Sequence, residues 1–539
     1  MTYSSQIDRG GAEFAQNRAE MLARIDKLRA LEARPVALSE KRRDRMEARG
    51  QLTPRDRLAL LLDPGMPFLQ LHTVAGYLVD TEDADRSMPG ASVIVGIGFV
   101  EGVRALIWVD DSGIKAGAMA PMTVDVILSA QALALRQKLP VIHLVESAGA
   151  NLTDYRVETW AHGGKVFRNL ARLSAAGIPT IAVLHGPSTA GGAYMPGLSD
   201  YVIGVKGNGL AALAGAALVQ AATGEQADER ALGGAEMHAA TSGLVEYLAG
   251  DDAEAIGMAR QVVRGLGWNR ALPAEAVRTV DEPPLPPDDL AGAVPVDIRV
   301  PYDVHEVAAR LVDGARLQDF KPGYGAATVC MKGEIGGFPV ALIGNNGPID
   351  PAGATKAAQF IQLCGQSDTP LIFLNNTTGF MVGTAYEQAG MIKHGSKMIQ
   401  AVSNVDVPRI ALYIGASFGA GNYGMSGFPY DPDFLFAWPN AVTGVMGGAQ
   451  AAGTMEMVAR AAAARQGAEV DEARLAAQSA ALTDLFDRQH DAFYTSGRCL
   501  DHGIIDPRDT RAVLTFCLET CREARARRLK PNTYGVSRF

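Results

Sequence analysis

Paired cysteines are what this chain most plainly lacks. Its five, Cys330, Cys364, Cys499, Cys517 and Cys521, are scattered and include no CxxC pair, which argues against a disulfide framework or a zinc site and for a reducing compartment. Cys517 and Cys521 stand one helical turn apart without His or Cys partners at ligand spacing, so they read as core residues. The nine histidines form no HxxxH or HExxH pair, and His143 and His185 fall inside apolar strands, where a satisfied core role suits them. No metal is expected. Long apolar runs are missing too: the longest, from Leu210 to Ala222, is Ala-rich and broken by Gly215 and Gln220, too short and too weakly apolar to cross a bilayer. The N-terminal MTYSSQIDRGGAEF has no apolar h-region and is neither a secretory signal nor a transit peptide, so the expected location is cytoplasmic. Charge is in no great excess of either sign. A net charge of −9 with 47% apolar residues describes an ordinary globular protein, not one that coats nucleic acid or binds a membrane.

What the chain does contain is one pattern twice. Ile178 to Gly192 reads IPTIAVLHGPSTAGG and Val407 to Gly421 reads VPRIALYIGASFGAG, so that Pro179 maps to Pro408 and Gly191 to Ala420, an offset of 229. An earlier pair keeps step: LPVIHLVESAGA from Leu139 aligns with TPLIFLNNTTGF from Thr369 at an offset of 230. Two patterns holding a nearly constant offset imply a duplicated domain with paired versions of one site. The length of 539 residues suits two cores.

Residues 1–62 form a helical arm by their periodicity, ending before Pro64 and Gly65; the run KRRDRMEAR within it reads as a solvated helix face, or else as contacts to an anionic ligand. From Ala91, β-branched runs alternate with amphipathic segments such as VDVILSAQALALRQ, the signature of an α/β domain over 63–270. DEPPLPPDD marks a linker over 271–300, and a second domain fills 301–539. In the second domain FPVALIGNN echoes VRALIWVDD, and Thr510 to Arg528 reads as a helix.

In both repeats an apolar strand enters a glycine-dense turn whose small residues begin a helix. Such a turn presents consecutive backbone N–H groups, and a helix start adds partial positive charge, so both are parts for binding an oxyanion. The candidate donors are the amides of Gly191 and Gly192 in TAGGAY and of Ala420 and Gly421 in FGAGNYG. One such site would polarise a thioester carbonyl; two could hold the oxyanions of carboxyl transfer from a biotin ureido group to a thioester enolate. Close packing of helix on strand is the simpler reading of any one glycine pair, and repetition at equivalent positions argues against it. A phosphate loop is excluded because neither turn continues as GK[ST]. Gly415 to Gly419, GASFG, matches the nucleophile elbow formally, with His490 and His502 downstream; Ser417 reads rather as a small residue beneath the turn. VCMKG is similar to a biotin attachment site, but Gly333 stands where methionine is usual, and Lys332 reads as an edge-strand lysine.

With these residues in view the chain resembles the carboxyltransferase (beta) subunit of biotin-dependent acyl-CoA carboxylases, most closely the branch acting on 3-methylcrotonyl-CoA and geranyl-CoA. The likeness runs from ARGQLTPRDRLALLLDPGMPFLQL through ESAGANL, TAGGAY, ALAGAALVQAATGE and LGGAEMH to NNTTGFMVG, GASFGAGNYGMSG, WPNAVTGVMGG and PNTYGVSRF. It implies an α/β fold of two tandem crotonase-like ββα-superhelix domains. It further implies that carboxybiotin releases CO2 in the site and that its ureido anion takes the acyl-CoA proton, which explains why no acid/base pair stands out. The acyl-CoA side would be formed by Gly191 and Gly192 with Ala148, Gly149, Ala190, Ala193, Tyr194, Ala212, Ala216 and Ala217. The biotin side would be formed by Ala420 and Gly421 with Gly379, Phe380, Gly419, Asn422 and Tyr423. Biotin would arrive on a separate alpha subunit carrying biotin carboxylase and biotin carrier parts. The beta subunit would assemble as a hexamer, a trimer of dimers, with each site between subunits.

The substrate is read from departures within that resemblance. Short-chain relatives follow the second turn with a segment like GGAYDVM; Tyr423 replaces that aspartate here, as in the γ-carboxylating branch. The usual FLAGPPLVKAATGE appears as ALAGAALVQAATGE, so Ala212 replaces a phenylalanine, Ala216 and Ala217 two prolines, and Gln220 a lysine. Loss of the phenyl ring favours a longer chain such as geranyl, unless repacking elsewhere refills the space. Asp125 and Val126 stand where relatives often carry lysines, which puts a charge contact to CoA there in doubt. Alternatives are a propionyl- or acetyl-CoA type carboxyltransferase, a decarboxylase component of the same fold, an α/β-hydrolase using Ser417, and a non-catalytic crotonase-fold scaffold.

Overall fold

A computed structural model describes residues 2–149, 156–274 and 278–538. The chain divides into two compact units, one of Ala30–Glu275 with Thr520–Phe539 and one of Met1–Arg29 with Ala276–Glu519. Each is built on one copy of the repeat. Both ends of the chain are held by hydrogen bonds: Ser5 Oγ and the Gln6 amide donate to the Glu306 carboxylate at 2.6 and 2.7 Å, while the Asn532 amide reaches Ala175 O at 2.8 Å. The expected arm is helical at Ala12–Glu40, Arg43–Glu47 and Pro54–Leu61, and Arg43 in the basic run pairs with Asp56 at 2.8 Å. Within 271–300 the acidic, proline-rich stretch gives way to a short helix, Leu290–Ala293, whose residues are buried; Met21 and Ile25 pack with Ala291.

The first unit carries β1 (Leu69–Leu71), β2 (Val93–Val100), β3 (Val103–Asp110), β4 (Val141–Ser147), β5 (Thr180–Thr189), β6 (Tyr201–Val205), β7 (Leu210–Ala212) and β8 (Tyr247–Ala249). They form a sheet ordered β1-β2-β3-β4-β5-β6-β8, with β7 also paired to β5. The second unit repeats it with β9 (Gln318–Asp319), β10 (Thr328–Ile335), β11 (Phe338–Asn345), β12 (Leu371–Thr377), β13 (Arg409–Phe418), β14 (Phe434–Ala437) and β15 (Val442–Gly444), ordered β14-β13-β12-β11-β10-β9, with β15 also on β13. Each sheet opens with an antiparallel hairpin and continues as parallel strands joined by helices such as Pro121–Gln137 and Pro351–Gln366, the α/β arrangement the alternating pattern implies. Residues of β2, β3 and β4 are all buried, with the polar Arg104, Asp110, His143, Glu146 and Ser147 set among apolar positions. Helices Pro54–Leu61 and Asp252–Leu266 supply Leu58, Leu61, Ile256 and Val263 to the core beneath the first sheet.

The hairpins share a device that the sequence hides. Both turn on two residues of positive φ, Glu101 and Gly102 in the first unit and Gly336 and Gly337 in the second. In each a carboxylate accepts both turn amides: Asp63 at 2.9 and 2.7 Å, Asp313 at 2.9 and 2.8 Å. An arginine backs each carboxylate, Arg260 on Asp63 and Arg511 on Asp313. Lys332 is not on an edge strand, because the two-residue β9 pairs Gln318 with it, a strand too short to leave a periodic trace. No helix among the described residues is long and apolar enough to cross a membrane, and no cluster of His, Cys, Asp or Glu among them could hold a metal.

Asp501 is a stability reporter for the second unit. It is buried and accepts hydrogen bonds from Ser496 Oγ and the Gly503 amide, and burial pushes its carboxyl up to about 7 against these bonds. A carboxyl whose folded pKa exceeds its unfolded one favours the folded state at low pH. That contribution is lost as pH rises from about 4 to about 7. Chemical denaturation across this range should show declining stability in the wild type and a flatter profile in Asp501→Asn.

Candidate functional site

The site in each unit begins with a change of register. β4 and β5 pair in parallel up to Val145 opposite Leu184, slip, and resume with Ser147 opposite Ser188. Past the slip β5 takes β7 as a neighbour, with Ser188 opposite Ala211 and Thr189 opposite Ala212. The second unit does the same: Asn375 lies opposite Tyr413, Thr377 opposite Ser417, and Ser417 opposite Thr443 of β15. Both long strands then run straight into the glycine turns.

The two turns match residue for residue. Ala190 has φ +55° and its counterpart Gly419 φ +54°; for an alanine that left-handed conformation costs about 1 kcal/mol and signals a constrained turn. Gly191 and Ala420 are exposed, whereas Gly192 and Gly421 are buried. The facing loops match as well. Ala148 and Thr378 are exposed, and the following Gly149 and Gly379 are buried with positive φ. A Cβ on Gly149 would lie 3.0 Å from Thr189 O, and one on Gly379 3.6 Å from the equivalent Phe418 O. Each turn opens a helix, Tyr194–Leu198 after the 3-10 turn Ala190–Ala193, and Gly419–Gly424 directly. The leading N–H groups of such a turn have no partner four residues back. The arrangement is therefore, in duplicate, a candidate cradle for an oxyanion.

Ala212, beside Thr189, borders the first turn directly. Ala216 and Ala217 open the helix Ala216–Thr223, none of whose residues is buried. Tyr194 is half exposed and meets Phe167 edge-on; the Phe167 ring lies 3.5 Å from where a Gly191 Cβ would stand. In the second unit Tyr423 stacks on Tyr430 at the surface. Two expected biotin-side residues act from beneath. Phe380 packs its ring against Gly395 and Gly424, and the buried Asn422 donates to Ser417 Oγ at 2.8 Å and Tyr413 OH at 3.0 Å. Of the ESAGANL motif, residues 150–152 lie outside the described residues.

Ser417 is fully buried and donates to Asn375 Oδ1 at 3.1 Å, while His490 packs against Phe418 and His502 Nδ1 accepts the Leu435 amide. That is a buried support, as the sequence suggested, and no nucleophile elbow. Asp125 pairs with His162 at 3.0 Å and Val126 is buried, so neither position offers a cation. His143 and His185 are core residues, bonded to Asp110 and Asp252.

Residues 45–533 match the carboxyl transferase domain family. A probable biotin-dependent acyl-coenzyme A carboxylase beta2 subunit of Mycobacterium tuberculosis is 48% identical over 95% of this chain and 96% of its own. The biotin-dependent 3-methylcrotonyl-coenzyme A carboxylase beta1 subunit of the same organism is 40% identical over 98% of both. The crystal structure of the geranyl-CoA carboxylase beta subunit of P. aeruginosa superposes with a TM-score of 0.93 at 48% identity, covering 100% of both chains.

Positions in the turns differ in how much room they leave. A Cβ on Gly421 would lie 2.7 Å from the Gly379 backbone, too close without displacing it, and one on its counterpart Gly192 3.3 Å from Ser188 Oγ, whereas one on Gly191, whose counterpart Ala420 carries a Cβ, makes ordinary contact with Phe167. Gly421→Ala should therefore lower the melting temperature by several degrees and Gly191→Ala by less than about 2 °C, read by calorimetry. A fluorophosphonate should leave Ser417 unlabelled by mass spectrometry.

Proposed function

The chain belongs to the carboxyl transferase family and is the carboxyltransferase subunit of a biotin-dependent acyl-CoA carboxylase, and we propose that its two turns divide the work between the two reactants. The amides of Gly191 and Gly192, with Ala148 and Gly149 opposite, hold the thioester oxygen of the acyl-CoA as it gains charge. The amides of Ala420 and Gly421, with Gly379 opposite, hold the oxygen of the biotin ureido group. The observation that carries this reading is the residue-by-residue match of the turns, down to φ +55° at Ala190 and +54° at Gly419. Donors fixed in place before charge develops each contribute roughly 3 kcal/mol to the transition state.

The second turn suits biotin by the chemistry of its bed. Beneath it lie Asn375, Ser417, Asn422 and Tyr413, neutral groups that satisfy one another, and Gly421, where a Cβ would lie 2.7 Å from the Gly379 backbone, lets the turn close on the facing loop. Bound there, carboxybiotin would supply CO2 and, after releasing it, a base. The chain's own task is to orient the two oxygens and keep the amides in place.

For the substrate we favour a β-methyl-branched enoyl-CoA with a long chain, of the geranyl type, over 3-methylcrotonyl-CoA. Ala212 presents only a methyl beside the acyl turn, and the similarity to a geranyl-CoA carboxylase beta subunit supports a roomy pocket there. Biotin would be delivered by an alpha subunit with biotin carboxylase and carrier parts, and the beta subunit would form a hexamer with sites between subunits. Exposed apolar side chains fit such burial: Trp160, Leu213 and Leu218 in the first unit, Val382, Ile392 and Val445 in the second.

With alpha subunit, ATP and labelled bicarbonate, geranyl-CoA should be carboxylated with a higher kcat/KM than 3-methylcrotonyl-CoA, and propionyl-CoA poorly. A propionyl-CoA optimum would reverse the γ-carboxylation reading. Ala212→Phe should reduce kcat/KM for the long chain by about 10-fold or more and spare the short one; equal losses would remove the pocket argument.

A further inference from the structure

Behind the first turn lies a buried ionic cluster that the proposed chemistry does not use. Arg57, 1% exposed, donates through Nη1 to the Glu146 carboxylate and through Nε to Asp252 Oδ2 at 2.8 Å. Asp252 also meets His185 Nδ1 at 2.7 Å and accepts the Leu52 amide at 2.8 Å. Gln51 Nε2 donates to His185 O at 3.1 Å and approaches Glu146 Oε1 at 3.4 Å. Burial pushes the Asp252 carboxyl up, but the His185 hydrogen bond, the charges of His185 and Arg57 and the Leu52 amide outweigh it and hold it at about 2, so both oxygens stay acceptors.

The cluster sits at the slip between β4 and β5. Glu146 is the single residue between the last regular pair, Val145 with Leu184, and the first resumed pair, Ser147 with Ser188; His185, Gly186 and Pro187 bulge opposite it. The Glu146 side chain passes beneath Gly186, where a Cβ would lie 2.5 Å from its Cγ. From this point the chain enters both walls of the cradle: Ser147 Oγ accepts the Gly149 amide at 3.1 Å on one side, and Ser188 Oγ donates to Gly192 O at 2.9 Å on the other.

The second unit has the same slip held by neutral groups. Asn376 stands in the place of Glu146, its side chain against Gly415, and its Oδ1 accepts the Ala416 amide at 3.4 Å. Its own amide donates to Asn345 Oδ1 at 3.3 Å, as that of Glu146 donates to Asp110 Oδ2 at 3.1 Å. Asn440 donates to Ile414 O at 3.2 Å, as Gln51 does to the equivalent His185 O. The wiring is duplicated, with ions in one copy and amides in the other.

We infer that Glu146, clamped by Arg57, is the positioning residue that sets the acyl-CoA cradle, and that Asn376 is its counterpart for the biotin cradle. This rests on the assignment of the two halves made above. Charge-assisted hydrogen bonds hold a side chain more tightly than neutral ones, and the cluster ties β4 and β5 to the helices Pro54–Leu61 and Asp252–Leu266. Each residue acts through the register of its strand pair and touches neither reactant.

The test uses the full chain in the reverse direction, with transfer from the carboxylated acyl-CoA to free biotin, and measures KM and kcat against each substrate. Glu146→Gln should lower kcat/KM for the acyl-CoA by roughly 10- to 100-fold while the KM for biotin stays within about twofold, since misplacement of about 1 Å has effects of that size. Asn376→Asp should give the opposite split. Should Glu146→Gln not fold by calorimetry, Arg57→Lys, which keeps the charge but loses the planar fork, is read in the same way. Equal changes against both substrates, or none, would overturn the inference. A reversed split, with Glu146→Gln acting on biotin, would overturn the assignment of halves and the inference with it, a result distinct from no split.

Discussion

A parallel strand pair can place backbone amides in a site only where its own hydrogen bonding stops, and in this protein both strand pairs slip register just before they end. Before the slip β5 pairs with β4 and β6, and β13 with β12 and β14. After it the strand changes partner, to β7 or β15, and its end is free to turn. The glycines that follow are needed for close approach: Gly421 has no room for a side chain against Gly379, and Gly149 lies against Thr189 O. The proposed function depends on shifting the register of one strand pair in each unit.

This explains why so little of the site consists of ionisable side chains. Backbone donors have no pKa to tune and no rotamer to fix, so precision comes from the register of the strands beneath them. The buried groups behind each turn serve that register. In the second unit Asn375, Ser417 and Asn422 bond one another under the turn; in the first, Ser188 holds Gly192 while Arg57, Glu146 and Asp252 fasten the slip. A serine within a GxSxG pattern thus becomes a structural support, because what surrounds Ser417 is amides and not a histidine.

Much of this was legible in the sequence, and the limits have physical causes. The duplication, the helical tail realised as Thr510–Ala526, the echo of FPVALIGNN in VRALIWVDD and the two glycine turns are all local patterns, and local patterns survive in a single chain. Strands of two or three residues such as β1 and β9 leave no periodicity, so the pairing of Lys332 with Gln318 was invisible. The carboxylates that clamp the hairpins, Asp63 and Asp313, look like any acid in a loop. Arg57 and Glu146 are 89 residues apart and His185 reads as an apolar strand position, so only the folded chain shows that they meet. Phe380 and Asn422 belong to motifs of the second turn, yet only packing reveals that they face inward.

The most direct measurement is a crystal structure of the chain with its alpha subunit, grown with an unreactive acyl-CoA thioester analogue and biotin. The account requires the thioester oxygen at about 3 Å from the amides of Gly191 and Gly192, and the ureido oxygen at about 3 Å from those of Ala420 and Gly421. Either reactant seated away from both turns, or both seated at one, would contradict it.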